Sequence, residues 1–236
     1  MLDLVKCDIG YGPRIVLEEF SLSLQAGERI AILGPSGSGK STLLKHLHHA
    51  LKSTASFCAQ SETLIDNLSV YHNVFMGALG RHNALYNMAN LLLPFRKERL
   101  EINALCQGLE LDCPLQQQVV YLSGGQRQRV ALGRAMYQHQ PTFLGDEPFS
   151  ALDPAMGQRL LKQVFDAHES IICVLHDPKM AVRHFDRIIL LQHGLKTFDG
   201  PANSLDEAQL QACYRQEIPL ANRQAQPTEA EMHCAR

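Results

Sequence analysis

The sequence lacks a large net charge, and it lacks a long apolar run. Lys plus Arg number 22 and Asp plus Glu number 24, for a formal net charge of −2, and the 236 residues include no tryptophan. This balance argues against a protein that holds duplex DNA by neutralising its phosphates. No apolar stretch approaches the roughly 20 residues of a membrane-spanning helix, and the first residues do not resemble a signal peptide. We therefore expect no membrane span and no nucleic-acid partner.

The cysteines do not follow a metal-binding or disulfide-forming spacing. The seven cysteines are odd in number and no two form a CxxC pair, which argues against a zinc site and a disulfide framework and favours free thiols in a reducing cytosol. Three histidines, His46, His48 and His49, fall within one predicted helix. We interpret them as solvated helix positions and not as metal ligands.

Short apolar runs alternate with helical patterns along the chain. Strands are predicted over 16–24, 29–33, 142–145, 170–175 and 187–192, and helices over 41–51 and 154–167. Such alternation predicts an α/β fold with a parallel sheet. Residues from about 61 to 140 read as helical, which predicts an inserted helical subdomain. The residues beyond 215, rich in Gln, Ala and Glu, predict a flexible tail over 216–236.

A glycine-rich loop lies between a strand pattern and a helix pattern. It matches the phosphate-loop motif G-x-x-x-x-G-K-[ST]. Glycines let successive backbone N–H groups converge on one anion, and the following helix adds its positive end. A lysine there reaches the β- and γ-phosphates of a nucleotide, and the next hydroxyl binds Mg²⁺. The loop residues are Gly34, Pro35, Ser36, Gly37, Ser38, Gly39, Lys40 and Ser41, followed by Thr42.

Two acidic residues follow a second apolar run. Asp146 and Glu147 end the segment that begins at Thr142. At the carboxyl end of a parallel strand, both would face the ligand crevice of an α/β sheet. We expect Asp146 to hold Mg²⁺ through water and Glu147 to act as general base on the attacking water.

A third motif identifies a family. Together with the phosphate loop, the pentapeptide of Leu122, Ser123, Gly124, Gly125 and Gln126 resembles the signature of the ATP-binding-cassette (ABC) ATPases. As a bare pattern it is also a helix start capped by a serine, which by itself can bind an anion.

The resemblance covers about residues 2–215 and implies further roles. Tyr11 would stack on adenine, and Gln60 would sense Mg²⁺ and the attacking water. Asp153, in the segment from Ser150, would belong to the loop that crosses to a partner's site. His176 would contact the γ-phosphate. The implied fold is a P-loop NTPase core, a parallel sheet with an inserted helical subdomain.

The likeness extends to bacterial importer ATPases of the phosphonate type. The segments Gly77–Arg81, Pro94–Glu98 and Phe198–Pro201 carry it. It implies a homodimer with two ATP molecules at its interface, integral-membrane permease subunits, and indirectly an extracytoplasmic solute-binding protein. The chain would lie peripherally on the cytoplasmic face of the inner membrane. We expect residues 76–93 to contact the permease, although a core helix is an equal alternative.

Two departures from the family pattern stand out. Only 19 residues separate Lys40 from Gln60, where the family has about twice as many, so we expect a reduced antiparallel β-subdomain. Gly145 takes a strand position where the family prefers a bulkier side chain.

Two other functions are alternatives to an importer ATPase. A soluble ABC-type ATPase acting on ribosomes or DNA commonly carries two cassettes or a long insertion and is more basic, and neither feature is present. A P-loop kinase would leave the segment Leu122–Gln126 unexplained. Co-purification with ribosomes would favour the first alternative, and a phosphorylated acceptor would favour the second.

Overall fold

The computed structural model describes residues 2–59 and 63–205. The strands are β1 (Leu2–Tyr11), β2 (Arg14–Leu24), β3 (Arg29–Leu33), β4 (Ala55–Cys58), β5 (Thr142–Asp146), β6 (Ser170–Val174), β7 (Arg187–Gln192) and β8 (Leu195–Pro201). The helices are α1 (Lys40–Ala50), α2 (Val70–Phe75), α3 (Ala84–Leu92), α4 (Arg96–Gly108), α5 (Gly124–Met136), α6 (Pro154–Ala167) and α7 (Pro178–His184).

A six-stranded sheet in the order β4-β5-β6-β3-β7-β8 forms the centre of the fold. Its first five strands run parallel, and β8 returns antiparallel beside β7. The central strands β3, β5, β6 and β7 are short runs buried over nearly their whole length, as expected where helices cover both faces of a parallel sheet. This arrangement confirms the predicted α/β fold.

A second sheet contains only two strands, β1 and β2, paired antiparallel. The buried residues of β2, Leu17, Phe20, Leu22 and Leu24, belong to the same apolar cluster as the inner face of α1. A turn over residues 51–54 then leads from α1 directly into β4. The antiparallel sheet is therefore reduced to two strands, as the short spacing between Lys40 and Gln60 predicted.

Three strands were not expected from the sequence. The pairing of β1 with β2 shifts register twice between Leu4 and Ile9, and Lys6 has a positive φ of 47°. Such bulges break the alternation that marks a strand in a sequence. Strand β4 is only four residues long, and none of the seven residues of β8 is fully buried.

Helices α2 to α5 follow one another between β4 and β5, and the described residues 63–141 contain no strand. Their buried residues, among them Val74, Phe75, Ile102 and Val130, share one apolar cluster with the sheet residue Phe143. The helical run thus packs on one face of the sheet. A subdomain boundary at about 61 and 140 stays a prediction, and the proposed tail lies outside the described residues.

Within residues 2–59 and 63–205, no helix is long and apolar enough to cross a membrane. The described cysteines are free thiols, at positions Cys7, Cys58, Cys106, Cys113 and Cys173. Burial raises the pKa of the Cys58 thiol to about 12, which keeps it protonated and unreactive at neutral pH.

Candidate active site

The glycine-rich loop joins the end of β3 to the start of α1, at the carboxyl edge of the parallel sheet. Gly34 has a φ of 145°, and a Cβ there would lie 2.0 Å from the carbonyl oxygen of Leu191. Gly39 has a φ of 101°, and its Cβ would lie 2.9 Å from a methyl carbon of Leu17. Only glycine tolerates both the left-handed backbone and the close neighbours, so the loop can take its curled path.

Lys40 lies inside this loop. Its Nζ donates hydrogen bonds of 2.8 Å to the carbonyl oxygens of both Gly34 and Pro35. Burial lowers the pKa of Lys40, and the nearby carboxylates of Glu147 and Asp146 oppose that shift. The ammonium is thus held at the loop by two neutral acceptors, which a phosphate would replace with a stronger, charge-assisted partner.

Ser41 and Asp146 meet next to the lysine. The Ser41 hydroxyl donates to Oδ1 of Asp146 over 3.0 Å. Burial raises the pKa of Asp146, and the hydrogen bond from Ser41 partly opposes the rise. Hydroxyl and carboxylate oxygens are the ligands that Mg²⁺ prefers, so this pair fits a magnesium ion bound beside a nucleotide.

Glu147 and His176 form the second polar pair at the same edge. Glu147 follows β5 and His176 lies just beyond β6, and His176 Nε2 is 2.5 Å from Glu147 Oε1. Glu147 has a φ of 54°, and its backbone N–H donates to Val174. A non-glycine residue in this region stores about 1–3 kcal/mol of strain, of the kind that clusters at active sites.

A cavity of about 340 Å³ opens beside the phosphate loop. Tyr11 borders it with half of its surface exposed, and Lys45 Nζ lies 5.8 Å from the centre of its ring. The sequence interpretation missed two lining residues, Arg14 and Val16. The signal was available, because Gly12 and Pro13 predict a turn that places Arg14 opposite Tyr11 in a hairpin.

A second cavity, of about 380 Å³, lies on the other side of Glu147. Asp153, His176 and Ser150 line it with Glu147. Asp153 also begins α6, where its Oδ1 accepts a hydrogen bond of 3.0 Å from the N–H of Met156. The carboxylate therefore caps a helix and borders the cavity.

The signature pentapeptide lies apart from the phosphate loop of its own chain. Ser123 begins α5 and exchanges two hydrogen bonds with Gln126, in the capping-box arrangement. Neither cavity is lined by Ser123, Gly124, Gly125 or Gln126. Within one chain, the signature pentapeptide and the phosphate loop therefore share neither of these two cavities.

The structure explains the unusual Gly145 but does not describe Gln60. Gln60 lies outside the described residues, so its role stays a prediction. The unusual Gly145 has a steric reason: a Cβ there would lie 2.7 Å from Pro148 and 2.8 Å from the ring of Phe143. It would also lie 3.2 Å from the sulfur of Cys173, so the local packing leaves no room for a side chain.

Comparison with known proteins identifies the family of the chain. The family model described as ABC transporter matches residues 17–150. The Phosphonates import ATP-binding protein PhnC of Frankia casuarinae is 35% identical, and the match covers 89% of this chain and 94% of the relative. The protein PhnC 2 of Pseudomonas aeruginosa is 32% identical, over 97% of this chain and 94% of the relative.

Solved structures give the same result. The dimeric structure of MJ0796, a bacterial ABC transporter cassette, superposes with a TM-score of 0.72 at 25% identity, covering 86% of this chain and 99% of that chain. A dimeric post-hydrolysis state of the same cassette, bound to ADP and Pi, gives a TM-score of 0.71 at 25% identity over the same shares. The fold is thus one that binds nucleotide, and the chain belongs to the ABC transporter family of ATP-binding, ATP-hydrolysing subunits.

Proposed function

We propose that this chain is the ATPase subunit of an importer and couples ATP hydrolysis to uptake of a phosphonate or related anion through a membrane permease. The observation that supports this most is the grouping of Lys40, Ser41, Asp146, Glu147 and His176 at one sheet edge. The printed names of the relatives support the direction and class of transport.

ATP would lie across the phosphate loop. The adenine would stack on Tyr11, which is half exposed and borders the loop cavity. Lys40 would exchange its two backbone acceptors for the β- and γ-phosphates. Helix α1 begins at Lys40, so its positive end would face the same phosphates.

Ser41 and Asp146, with Gln60, would hold Mg²⁺, which neutralises developing charge on the phosphates. Glu147 would take a proton from the attacking water as the water oxygen bonds to the γ-phosphorus. The bond from that phosphorus to the bridging oxygen breaks, and ADP and phosphate leave. His176 would contact the γ-phosphate, a short distance from its present partner Glu147.

The functional unit would be a homodimer in which each ATP lies between two chains. The start of α5 supports this, because Ser123 is exposed and neither Ser123 nor Gly125 lines the two cavities beside Glu147. In a head-to-tail pair they would face the phosphates bound to the partner, with Asp153 close to the crossing. Closure would exclude water from both sites.

The permease would bind the helical part of the chain, at residues 76–93. Helix α3 has an exposed apolar face there, formed by Leu85, Met88 and Leu92, and Leu93 continues it. Exposed apolar patches of this kind mark interaction sites. The chain would thereby sit on the cytoplasmic face of the inner membrane, and a solute-binding protein outside would act only through the permease.

The Glu147→Gln variant tests this mechanism. The amide keeps the shape of the carboxylate but cannot accept a proton, so ATP turnover should fall by about 10²- to 10⁴-fold. ATP binding should persist, and the variant should accumulate as a dimer, measured by phosphate release, nucleotide titration and light scattering.

The matched control is Glu169→Gln, at an exposed position remote from both cavities beside Glu147, which should retain wild-type turnover. Unchanged turnover in Glu147→Gln would reject Glu147 as the base. For coupling, the chain is reconstituted with the permease in vesicles. ATP-dependent uptake supports the proposal, whereas co-purification with ribosomes and no permease would favour the alternative function.

A further inference from the structure

Glu147, the proposed base, has a backbone conformation that its neighbours have to hold. Its φ of 54° is one that non-glycine residues seldom adopt, and such a conformation persists only where surrounding contacts enforce it. On one side of its Cα, the N–H donates a hydrogen bond of 3.1 Å to the carbonyl oxygen of Val174. The contacts of its own carbonyl group therefore decide whether the second peptide plane is fixed as well.

The carbonyl oxygen of Glu147 accepts hydrogen bonds from Ser150 and from Gln128. Ser150, in the same turn, donates from its hydroxyl over 3.1 Å and from its N–H over 3.3 Å. These two bonds close the turn upon itself. Gln128 donates from its side-chain Nε2 over 3.1 Å, and it belongs to α5. The bond from Gln128 therefore ties the carbonyl of Glu147 to a separate element of the fold.

The fold encloses Gln128 and keeps its amide in place. Gln128 is 2% exposed and lies in the first half of α5, five residues beyond Ser123. A Cβ on Gly125, in the first turn of the same helix, would lie 3.2 Å from the carbonyl oxygen of Ala151. The beginning of α5 thus packs closely on the segment that follows Glu147, and Gln128 adds a directed hydrogen bond to that packing.

The same stretch of α5 carries the signature pentapeptide. Gly125 and Gln128 are three residues apart, which is about 4.5 Å along a helix axis. In the proposed homodimer, Ser123 and Gly125 would face the ATP bound by the partner chain, whereas Gln128 contacts the base of its own chain. A shift of the start of α5 would therefore move the donor that fixes Glu147.

We propose that Gln128 is a positioning residue for ATP hydrolysis. Its amide fixes the peptide plane after Glu147, and thereby the direction in which the carboxylate leaves the backbone towards the attacking water. Gln128 itself touches no reacting atom and transfers no proton. This inference rests on the proposed function, in which Glu147 is the base. A base has to lie within hydrogen-bond reach of the proton it takes, and a misplacement of about 1 Å can cost about a hundredfold in rate.

The Gln128→Met variant removes the donor and keeps an unbranched side chain of similar length. Ser150 still donates to the carbonyl of Glu147, so no buried acceptor loses all its partners and the chain should fold. Turnover at saturating ATP should fall about three- to tenfold, the worth of one neutral hydrogen bond. Phosphate release measures it.

The affinity for ATP should not follow the turnover. Gln128 lines neither cavity beside Glu147, so the dissociation constant of ATP should stay within about twofold of wild type. Nucleotide titration measures it. A second variant, Gln128→Asn, keeps the amide but shortens the side chain by one methylene group. The amide then no longer reaches the carbonyl, so this variant should lose turnover as Gln128→Met does.

The matched control is Gln138→Met. The side chain of Gln138 also donates to a backbone carbonyl, that of Phe57 over 3.4 Å, and it lines neither of the two cavities beside Glu147. The same substitution there should leave turnover within about twofold of wild type. Urea unfolding of both variants shows how much stability each substitution removes.

A double substitution separates positioning from a structural role. If Gln128 acts through Glu147, adding Gln128→Met to Glu147→Gln should leave the residual turnover unchanged within about twofold, because residues that act as a unit do not have additive effects. A general loosening of the fold would lower that residual turnover by the same factor as in wild type. Single-turnover hydrolysis, with the chain in excess over ATP, measures the slow rate.

Two results would overturn the inference. Gln128→Met and Gln128→Asn could keep the turnover of the Gln138→Met control, or the double variant could lose the full factor again. Either result leaves Glu147 as the base, provided that Glu147→Gln alone loses turnover. Full turnover in Glu147→Gln, where Gln128 is intact, is the separate result that rejects the proposed mechanism.

Discussion

The nucleotide edge and the helical region use polar side chains in opposite ways. The nucleotide edge is the proposed nucleotide site and comprises Lys40, Ser41, Asp146, Glu147 and His176. Its side chains pair with one another or with carbonyl groups of the phosphate loop. The backbone of Glu147 is strained. These contacts can be exchanged for contacts with a nucleotide, which is what a binding site requires.

The helical region, residues 63–141, holds two buried polar side chains in hydrogen bonds that stay within the fold. Glu98 is 1% exposed and accepts hydrogen bonds from Tyr86, over 2.7 Å, and from Tyr137. Asn90 is fully buried and accepts from the N–H of Phe95 over 2.7 Å. These bonds tie α3 and α4 to the end of α5. A buried polar residue therefore signals ligand binding only where its partners can be replaced.

The largest effect on nucleotide affinity is expected from Lys40→Ala. It removes the charged donor from the phosphate loop, and a hydrogen bond to a charged group contributes about 1.5–3 kcal/mol. The affinity for ATP should therefore fall by about ten- to a hundredfold. Titration with a fluorescent ATP analogue measures it.

Lys97→Ala is the control for that measurement, because the Lys97 side chain is 76% exposed on α4 and forms only an i,i+4 ion pair. It should bind ATP as the wild type does. Equal affinities of Lys40→Ala and wild type would mean that the loop binds no phosphate through this lysine.

A smaller effect, on stability and not on nucleotide binding, is expected from Glu98→Gln. The amide replaces a buried charge that accepts from two tyrosines, so the free energy of unfolding should fall by about 2 kcal/mol. Glu101→Gln is the matched control on the same helix, because Glu101 accepts one tyrosine hydrogen bond, from Tyr137 over 3.1 Å. Its side chain is 40% exposed and forms a 3.9 Å ion pair with the exposed Lys97.

Urea unfolding measures the two losses, and the loss in Glu101→Gln should be clearly the smaller. ATP affinity should be unchanged in both variants. A tenfold loss of ATP affinity in Glu98→Gln would break the contrast between the two regions.

The smallest expected effect is a pH dependence of the difference in unfolding free energy between wild type and Glu98→Gln. Burial alone would raise the pKa of Glu98, but the hydrogen bonds from Tyr137 and Tyr86 outweigh it and hold the pKa below its usual value. A carboxyl with a lowered folded pKa stabilises the fold above its unfolded pKa of about 4.3. The contribution disappears as the pH falls through the folded pKa.

The stability gap between wild type and Glu98→Gln should therefore be constant near neutral pH and shrink below about pH 4.5. Urea unfolding at a series of pH values measures it. A gap that widens in acid would contradict the lowered pKa.

Local patterns predicted most of the nucleotide edge. The phosphate loop is one continuous segment, and Asp146 and Glu147 are adjacent in the sequence. Each of these two motifs follows a buried parallel strand, so chain order alone places both at the same edge of the sheet. Local patterns did not predict the bulged β1, the short β4 or the exposed β8. Their strand character depends on neighbours across the sheet and not on a repeating apolar pattern.

The likeness of Pro94–Glu98 to importers of phosphonates illustrates the limit of a motif. Its structural use is in packing, since Phe95 packs edge-on against Tyr86 and Glu98 accepts from two tyrosines. Nothing local in the sequence distinguishes a carboxylate buried between helices from one that faces a ligand.

The sequence by itself determined the parallel α/β fold, the family and the order of the nucleotide motifs, because each is encoded by a short, continuous pattern. Only the tertiary structure decided which distant side chains meet. Glu147 and His176, which follow the neighbouring strands β5 and β6, form a hydrogen bond. Phe143 and Cys173 leave no room for a side chain at Gly145. Basic residues from two helices and a turn line one groove beside β4. Packing between separate elements sets these distances, and a linear pattern does not contain them.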